Sequence, residues 1–201
     1  MKLIHSPASP FVRKVRATAA QLGIANDITL MPVKTTALDT APEVRAANPS
    51  GKIPALITDD GKAIFDSRVI CRYLNDRAGG SLYPDARIWD VLTMEAAADE
   101  IMVAGVVISY EMRLRPAEVQ YAPWMDAQWS KIIHTTQAFN SNWRDHLSGP
   151  VDAAQIALGC ALGYLDFRHG ARNWRAGCDN LVAWYEDFAL ADFMASTAPT
   201  D

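Results

Sequence analysis

The sequence changes its pattern once, at a glycine- and proline-containing segment, GGSLYP, at residues 79–84. Before this segment, short apolar runs typical of β-strands alternate with stretches of helical spacing, whereas after it only helical spacing recurs. Glycine and proline interrupt regular structure, so the segment is a natural linker. The chain of 201 residues is therefore predicted to form two domains, residues 1–78 and 88–201, joined by residues 79–87.

The first half is predicted to form an α/β domain with the order β-α-β-α-β-β-α. Its last two apolar runs flank Asp59-Asp60-Gly61, and Asp-Gly between such runs is a strong signal for an antiparallel hairpin. Strands joined by crossover helices and followed by a hairpin give a mixed sheet with helices packed on it. The predicted strands are residues 2–5, 27–32, 55–58 and 62–65, and the predicted helices are residues 12–22, 41–47 and 67–77.

The second half is predicted to be entirely helical. One of its helices begins at Asp152, with Gln155 three residues later, which is the pattern of a capping box. Residues 156–165 of this helix are apolar on all sides, so we expect it at the centre of its domain. The predicted helices are residues 88–113, 124–147, 152–168 and 180–190.

Composition argues against several classes of protein. The net charge of −4 argues against non-specific nucleic-acid binding, and no run reaches the roughly 18 apolar residues of a membrane span. The first ten residues lack the apolar core of a signal peptide, so we expect a cytoplasmic protein. Cys71, Cys160 and Cys178 form no Cys-x-x-Cys motif, and the four histidines are isolated, so we expect core cysteines and no metal site.

Charge is divided unevenly between the two halves. Residues 1–78 hold 11 Lys and Arg against 7 Asp and Glu, while the remainder holds 8 against 16. Two interpretations stay open. The opposite charges help the two halves to dock, or the positive first half attracts a small anion.

Three local motifs are candidates for chemistry. Ser9 precedes Pro10 at a predicted helix start, where a serine either caps the helix or stabilises an anion beside the unpaired N–H groups. Residues 48–56, NPSGKIPAL, place Pro54 at the start of a strand, where its missing N–H is tolerated. Asp66 and Ser67 stand where a strand leads into a helix, and either suits a helix N-terminus.

In order and spacing, these three motifs followed by an all-helical half resemble the glutathione transferase superfamily. The Ser-Pro-Phe-Val-Arg-Lys turn, residues 9–14, is similar to the bacterial serine-type (YibF-like) members. The resemblance implies a thioredoxin-like sheet with a cis peptide bond before Pro54. It implies that Ile53 pairs its backbone with the cysteinyl part of glutathione, that Asp66 receives the γ-glutamyl ammonium and that Ser67 binds the γ-glutamyl carboxylate.

The resemblance also assigns the remaining ligand contacts. Ser9 falls where the family keeps the residue that activates the thiol, and Ser6, nearer the strand end, is its rival. Lys52 matches a position that reaches the glycyl carboxylate in some classes, and Lys34 is a weaker candidate for that contact. The turn contains no cysteine or tyrosine, which disfavours cysteine-type and tyrosine-type chemistry and a thiol–disulfide oxidoreductase.

The implied function is that of an enzyme with glutathione as co-substrate, which adds the thiolate to a small hydrophobic electrophile in detoxification. The alternative is a non-catalytic glutathione-binding or partner-binding protein on the same scaffold. The resemblance implies a homodimer in which Asp99 is a candidate to reach across the interface. The candidate electrophile pocket lies between the turn at residues 7–11 and the predicted helix 88–113, near Val106, Tyr110 and Met112.

Overall fold

A computed structural model describes residues 1–201 of the protein. Four strands form one sheet in the order β2-β1-β3-β4. β2 is parallel to β1, whereas β3 is antiparallel to both β1 and β4, so the sheet is mixed as predicted. The strands are β1 (Lys2–His5), β2 (Thr29–Pro32), β3 (Ala55–Ile57) and β4 (Ala63–Ile64).

Three helices cover the two faces of this sheet: α1 (Pro10–Gln21), α2 (Pro42–Ala47) and α3 (Ser67–Ala78). Successive side chains of a strand point to opposite faces. Leu3 accordingly joins the large core with residues of α1 and α3, whereas Ile4 packs with Val44 of α2 in a separate cluster. The sheet therefore lies between α1 and α3 on one face and α2 on the other.

The rest of the chain is helical, as predicted. Its central helix, α7 (Ala153–His169), is buried on all sides from Ala153 to Leu165 and packs against both α4 (Ile88–Leu114) and α1. An apolar helix without a polar face has this position because no side of it is stable in water. The helices are α4 (Ile88–Leu114), α5 (Ala122–Ser141), α6 (Arg144–Leu147), α7 (Ala153–His169), α8 (Asp179–Phe188) and α9 (Asp192–Ala195).

Only one half of the predicted capping box forms at the start of α7. The Asp152 carboxylate accepts hydrogen bonds from the N–H groups of Ala154 and Gln155, at 3.1 and 3.2 Å. Gln155 does not return a bond to Asp152, as a capping box requires, but donates its Nε2 to the carbonyl of His146 at 3.1 Å. Gln155 thus ties α7 to the end of α6.

All predicted elements except the helix at residues 124–147 have bounds within two residues of those in the structure, and two of the differences have an identifiable local cause. The predicted helix at residues 124–147 is divided into α5 and α6, because the N–H groups of Asn142 and Trp143 both bond to the carbonyl of Ala138 and end α5. The predicted strand at residues 27–32 begins at Thr29, because Ala25–Asp27 form a 3-10 turn. The short helix α9 was not predicted.

None of the helices combines the length and apolarity needed to span a membrane.

Candidate functional site

The strand directions bring the three motifs to one end of the sheet. β1 and β2 run parallel, so Ser9 and Lys34, which follow them, emerge at the same end. β3 runs antiparallel to β1, so Pro54, which precedes it, lies at this end too. β4 runs antiparallel to β3, so Asp66, which follows β4, is also there. The topology gathers residues from four separate segments.

Ser9 is the N-cap of α1, and Pro10 is its first residue. The Ser9 Oγ accepts a hydrogen bond from the N–H of Val12 at 3.3 Å, and the Ser9 N–H donates to the carbonyl of Ser6 at 3.1 Å. The first turn of α1 contains no acidic residue, so nothing there neutralises the positive end of the helix dipole. Ser9 and Ser6 are both half-buried.

The loop before β3 is organised by Asn48, the first residue of the NPSGKIPAL motif, to which the sequence analysis gave no role of its own. This side chain is 2% exposed. Its Nδ2 donates to the carbonyl of Lys52 at 2.8 Å, and its Oδ1 accepts from the N–H and hydroxyl of Ser50 at 2.9 and 2.8 Å. Gly51 has a φ of 69°, which suits glycine.

The backbone of Ile53 is left without a partner by this loop. Its N–H and C=O make no hydrogen bond within the chain, and the Ile53–Pro54 peptide bond is cis. A backbone pair of this kind can bond an extended ligand as an edge strand would. Lys52 and Lys34 are exposed, and neither takes part in an ion pair.

Asp66 and Ser67 occupy different positions at the start of α3. Asp66 is the N-cap, and its Oδ1 accepts a hydrogen bond from the N–H of Arg68 at 3.0 Å. Ser67 is buried and is the first helical residue. The N–H groups of the first turn of a helix have no acceptor inside the helix, and the Ser67 N–H is one of them. The Asp66 side chain is 58% exposed. A carboxylate and a helix N-terminus thus lie side by side, able to bind a cation and an anion respectively.

A buried ionic cluster lies between α1 and α4. The Lys14 Nζ is 2.7 Å from Oδ1 of Asp99 and 3.2 Å from Oε1 of Glu95, and the hydroxyl of Tyr83 also donates to Glu95. Burial by itself would lower the pKa of Lys14, but the carboxylates of Asp99 and Glu95 raise it. Burial raises the pKa of Glu95. The cluster joins the helix that carries Ser9 to the helical half.

The position of Asp99 corrects one expectation. Asp99 is 5% exposed, and its carboxylate also lies 3.3 Å from Nε of Arg68 on α3. Because Lys14 and Arg68 of its own chain hold it in the interior, Asp99 is not available to reach across a subunit interface. Arg68 in turn lies 3.7 Å from Asp66, so Asp99 contacts the candidate site through Arg68.

The residues named for the electrophile pocket are partly accessible. Val106 is half-buried, while Tyr110 and Met112 are 38% and 50% exposed. They lie on the second half of α4. No group of three or more His, Cys, Asp or Glu side chains is arranged to hold a metal ion.

Two segments of the chain match known families. Residues 8–77 match the family described as glutathione S-transferase, N-terminal domain, and residues 122–187 match glutathione S-transferase, C-terminal domain. The chain belongs to the glutathione S-transferase family.

Full-length relatives agree with this assignment. The chain is 32% identical to the uncharacterized GST-like protein YibF of Escherichia coli (strain K12) over 204 residues, covering 99% of this chain and 98% of YibF. It is 37% identical to a glutathione transferase family member from Pseudomonas fluorescens Pf-5 with bound glutathione, with a TM-score of 0.96, covering 100% of this chain and 99% of that chain. A second structure from that organism contains S-(propanoic acid)-glutathione and has a TM-score of 0.92 at 37% identity, covering 100% of each chain.

Proposed function

We propose that this protein is an enzyme that activates the thiol of glutathione for attack on a small hydrophobic electrophile. The observation that carries the proposal is the Ser9 hydroxyl, which stands at the N-terminus of α1 and at the same end of the sheet as Ile53 and Asp66. The glutathione-bound relatives from Pseudomonas fluorescens support it. Ser9 acts as a hydrogen-bond donor to the thiolate.

Capping and donation by Ser9 are compatible. A hydroxyl has one hydrogen to donate and two lone pairs to accept. The N–H of Val12 uses one lone pair of the Ser9 Oγ, so the hydrogen stays available for a thiolate. Lowering a thiol pKa by two units takes about 2.7 kcal/mol, and a hydrogen bond to a charged group contributes roughly 1.5–3 kcal/mol. The helix N-terminus adds roughly 0.3–1 kcal/mol.

The remaining site residues hold glutathione in place. The free N–H and C=O of Ile53 bond the cysteinyl backbone, the Asp66 carboxylate binds the γ-glutamyl ammonium, and Ser67 binds the γ-glutamyl carboxylate. Lys52 binds the glycyl carboxylate. Residues 1–78 thereby form the glutathione-binding domain, residues 79–87 the linker and residues 88–201 the domain that completes the electrophile pocket.

We also propose a homodimer. Phe65 just before α3, Val69 on α3, and Trp89 and Val103 on α4 are 37%, 48%, 78% and 42% exposed. We propose these large exposed apolar side chains as parts of the contact surface. The positive first half of one chain and the negative second half of another add electrostatic complementarity. Three free, buried cysteines support a cytoplasmic location. Conjugation of small electrophiles, the proposed reaction, suits detoxification as the physiological role.

The test is a titration of the bound thiol. Glutathione is bound to the protein, the thiolate absorbance is followed against pH, and turnover is measured with a panel of electrophiles. We expect a thiol pKa at least one unit below that of free glutathione, together with turnover of one or more electrophiles. Binding with an unchanged thiol pKa would support a non-catalytic glutathione-binding protein. Absence of binding would refute both of these functions and leave the partner-binding alternative.

A further inference from the structure

Arg13 is a buried cation that lies one helical turn after Ser9. Its side chain is 5% exposed, its Nη2 donates to the carbonyl of Met194 at 3.2 Å, and the hydroxyl of Tyr185 lies beside it. The Nε and Nη1 groups are buried and have no partner. Gly163 of α7 leaves the room for this guanidinium, because a Cβ at that position would overlap Nη1.

No carboxylate balances this charge. Neighbouring Lys14 contacts two carboxylates, whereas Arg13 takes part in no ion pair. The titratable groups around it are Arg16 on α1, Cys160 on α7 and Tyr185 on α8, while α9 contributes the Met194 carbonyl and carries an exposed carboxylate, Asp192, that forms no ion pair with it. Burial raises the pKa of Cys160 to about 11 and also raises that of Tyr185, so both are neutral near pH 7.

Arg13 belongs to the beginning of α1, the helix that Ser9 caps. Residues four apart share a face of a helix, and long side chains lean toward the N-terminus over the preceding turn. The Arg13 N–H donates to the Ser9 carbonyl at 3.0 Å, which places both residues in the same turn. Buried charges in proteins are normally paired, so this cation lacks an anion.

The geometry points to Arg13 as a residue that stabilises the glutathione thiolate through space, with its buried and unbalanced guanidinium acting on the anion formed beside Ser9. This inference rests on the proposed function. In this inference the glutathione thiolate is the negative charge that balances the Arg13 guanidinium, since no carboxylate of the chain pairs with it. As a general guide, a unit charge roughly 10 Å from a thiol, at an effective dielectric constant of about 20, shifts its pKa by roughly one unit.

Three variants separate charge from packing. Arg13→Met removes the charge, Arg13→Gln removes the charge but keeps a donor for the Met194 carbonyl, and Arg13→Lys keeps the charge. Arg16→Met is the matched control, since it removes the same charge from the same helix three residues further along, at a half-buried site. The measurements are the pKa of bound glutathione and the affinity for S-methylglutathione, which has no thiol to ionise.

We expect Arg13→Met and Arg13→Gln to raise the bound thiol pKa by roughly one unit. Arg13→Lys should keep most of the wild-type value, and Arg16→Met should shift it less than half as far. Affinity for S-methylglutathione should change less than about twofold in each variant. If Arg13→Met does not fold, Arg13→Gln decides the question.

Two results would overturn the inference. The first is a thiol pKa in the neutral variants equal to that of the wild type, and the second is a shift in Arg13→Lys as large as in Arg13→Met, which would reduce Arg13 to a packing role. Failure of the proposed function looks different, because the wild-type protein itself would then not bind S-methylglutathione or would not lower the thiol pKa of glutathione.

Discussion

Lys14 and Asp99 form a buried ion pair in which both carboxylate oxygens lie within 2.9 Å of the ammonium nitrogen. Lys14 belongs to α1, whose first turn carries Ser9, and Asp99 belongs to α4 of the helical half. The side chains are almost fully buried, at 1% and 7% exposure. This ion pair therefore joins the helix that Ser9 caps to the helical half of the chain.

Replacing Lys14 by methionine is therefore predicted to destabilise the whole protein. The change leaves Glu95 buried without a cation and leaves Asp99 with only the half-exposed Arg68. Removing one partner of a buried ion pair typically costs about 3–5 kcal/mol. Chemical denaturation should show a loss of this size in the free energy of unfolding. Adding Glu95→Gln and Asp99→Asn to the Lys14→Met chain should restore a large part of it.

Lys62→Met is the control for this prediction. Lys62 pairs with Asp60 at 2.8 Å, but its side chain is 81% exposed, so water screens the interaction. The variant should unfold at nearly the same denaturant concentration as the wild type. Equal losses of stability in Lys14→Met and Lys62→Met would mean that burial of the first pair has no energetic consequence.

Ser9→Ala is predicted to raise the thiol pKa of bound glutathione by about one to two units, because a hydrogen bond to a charged group is lost. Glutathione should still bind, since the contacts proposed for Ile53 and Ser67 do not involve this hydroxyl. Turnover near neutral pH should fall by about 10- to 100-fold and recover partly at higher pH. Loss of the cap should also lower stability by about 1 kcal/mol.

Ser6→Ala is the matched variant for Ser9. The Ser6 carbonyl, not its side chain, accepts the Ser9 N–H, so the turn keeps its backbone bond in this variant. Thiolate absorbance titrations of both variants distinguish the two serines. A Ser9→Ala protein with lower stability and an unchanged thiol pKa would leave Ser9 as a cap only, and a shift in Ser6→Ala would assign the thiolate contact to Ser6.

Asn48→Ala is predicted to weaken glutathione binding without changing the thiol pKa. The Asn48 side chain holds the carbonyl of Lys52 and the N–H of Ser50, and so fixes the loop that presents Ile53. Without these bonds the loop has to be ordered on binding, which we expect to lower affinity by roughly tenfold. Calorimetric titration checks the affinity. Asn75 lies outside the site, and its Oδ1 accepts from the Leu82 N–H. Asn75→Ala should therefore leave the affinity unchanged.

The sequence predicted the fold better than it predicted the side-chain partners. Local patterns were sufficient for the four strands, the hairpin and the buried helix α7, because each depends on neighbours in the chain. The ionic cluster was not predicted because Lys14 contacts carboxylates that are more than 80 residues away in the sequence. No local sequence pattern indicates such a contact. Asp99 was assigned to a subunit interface for the same reason. Asn48 gave a readable signal, since an asparagine before Pro-x-Gly commonly bonds the backbone of a turn.

A charge on the apolar surface of α3 is predicted to separate the proposed dimer. Val69 is 48% exposed, and a glutamate there would have to be buried without a partner when two chains associate. Light scattering at micromolar concentration should give the mass of two chains for the wild type and of one chain for Val69→Glu. Leu38→Glu, at a 78% exposed position outside this surface, should stay dimeric. A monomeric wild type would contradict the proposal.

His169 at the end of α7 is predicted to make the protein less stable in mild acid. Burial is the main cause that lowers the pKa of His169 below its ordinary value of 6.5; the hydrogen bond to Gly105 opposes it, and Arg172 and Arg168 add smaller lowering effects. Its Nε2 lies 2.9 Å from the carbonyl of Gly105, so the neutral ring donates to that oxygen.

The folded protein thus binds fewer protons at His169 than the unfolded chain as the pH falls below about 6.5. Stability then declines with falling pH until the folded pKa is passed. Denaturation between pH 7.5 and about 5 should show this decline. His169→Gln keeps a donor for Gly105 and should show a smaller slope, although His5, whose pKa burial also lowers, retains part of it. His134→Gln, at an exposed position on α5, should keep the wild-type slope. Equal slopes in the wild type and His169→Gln would show that His169 does not control acid stability.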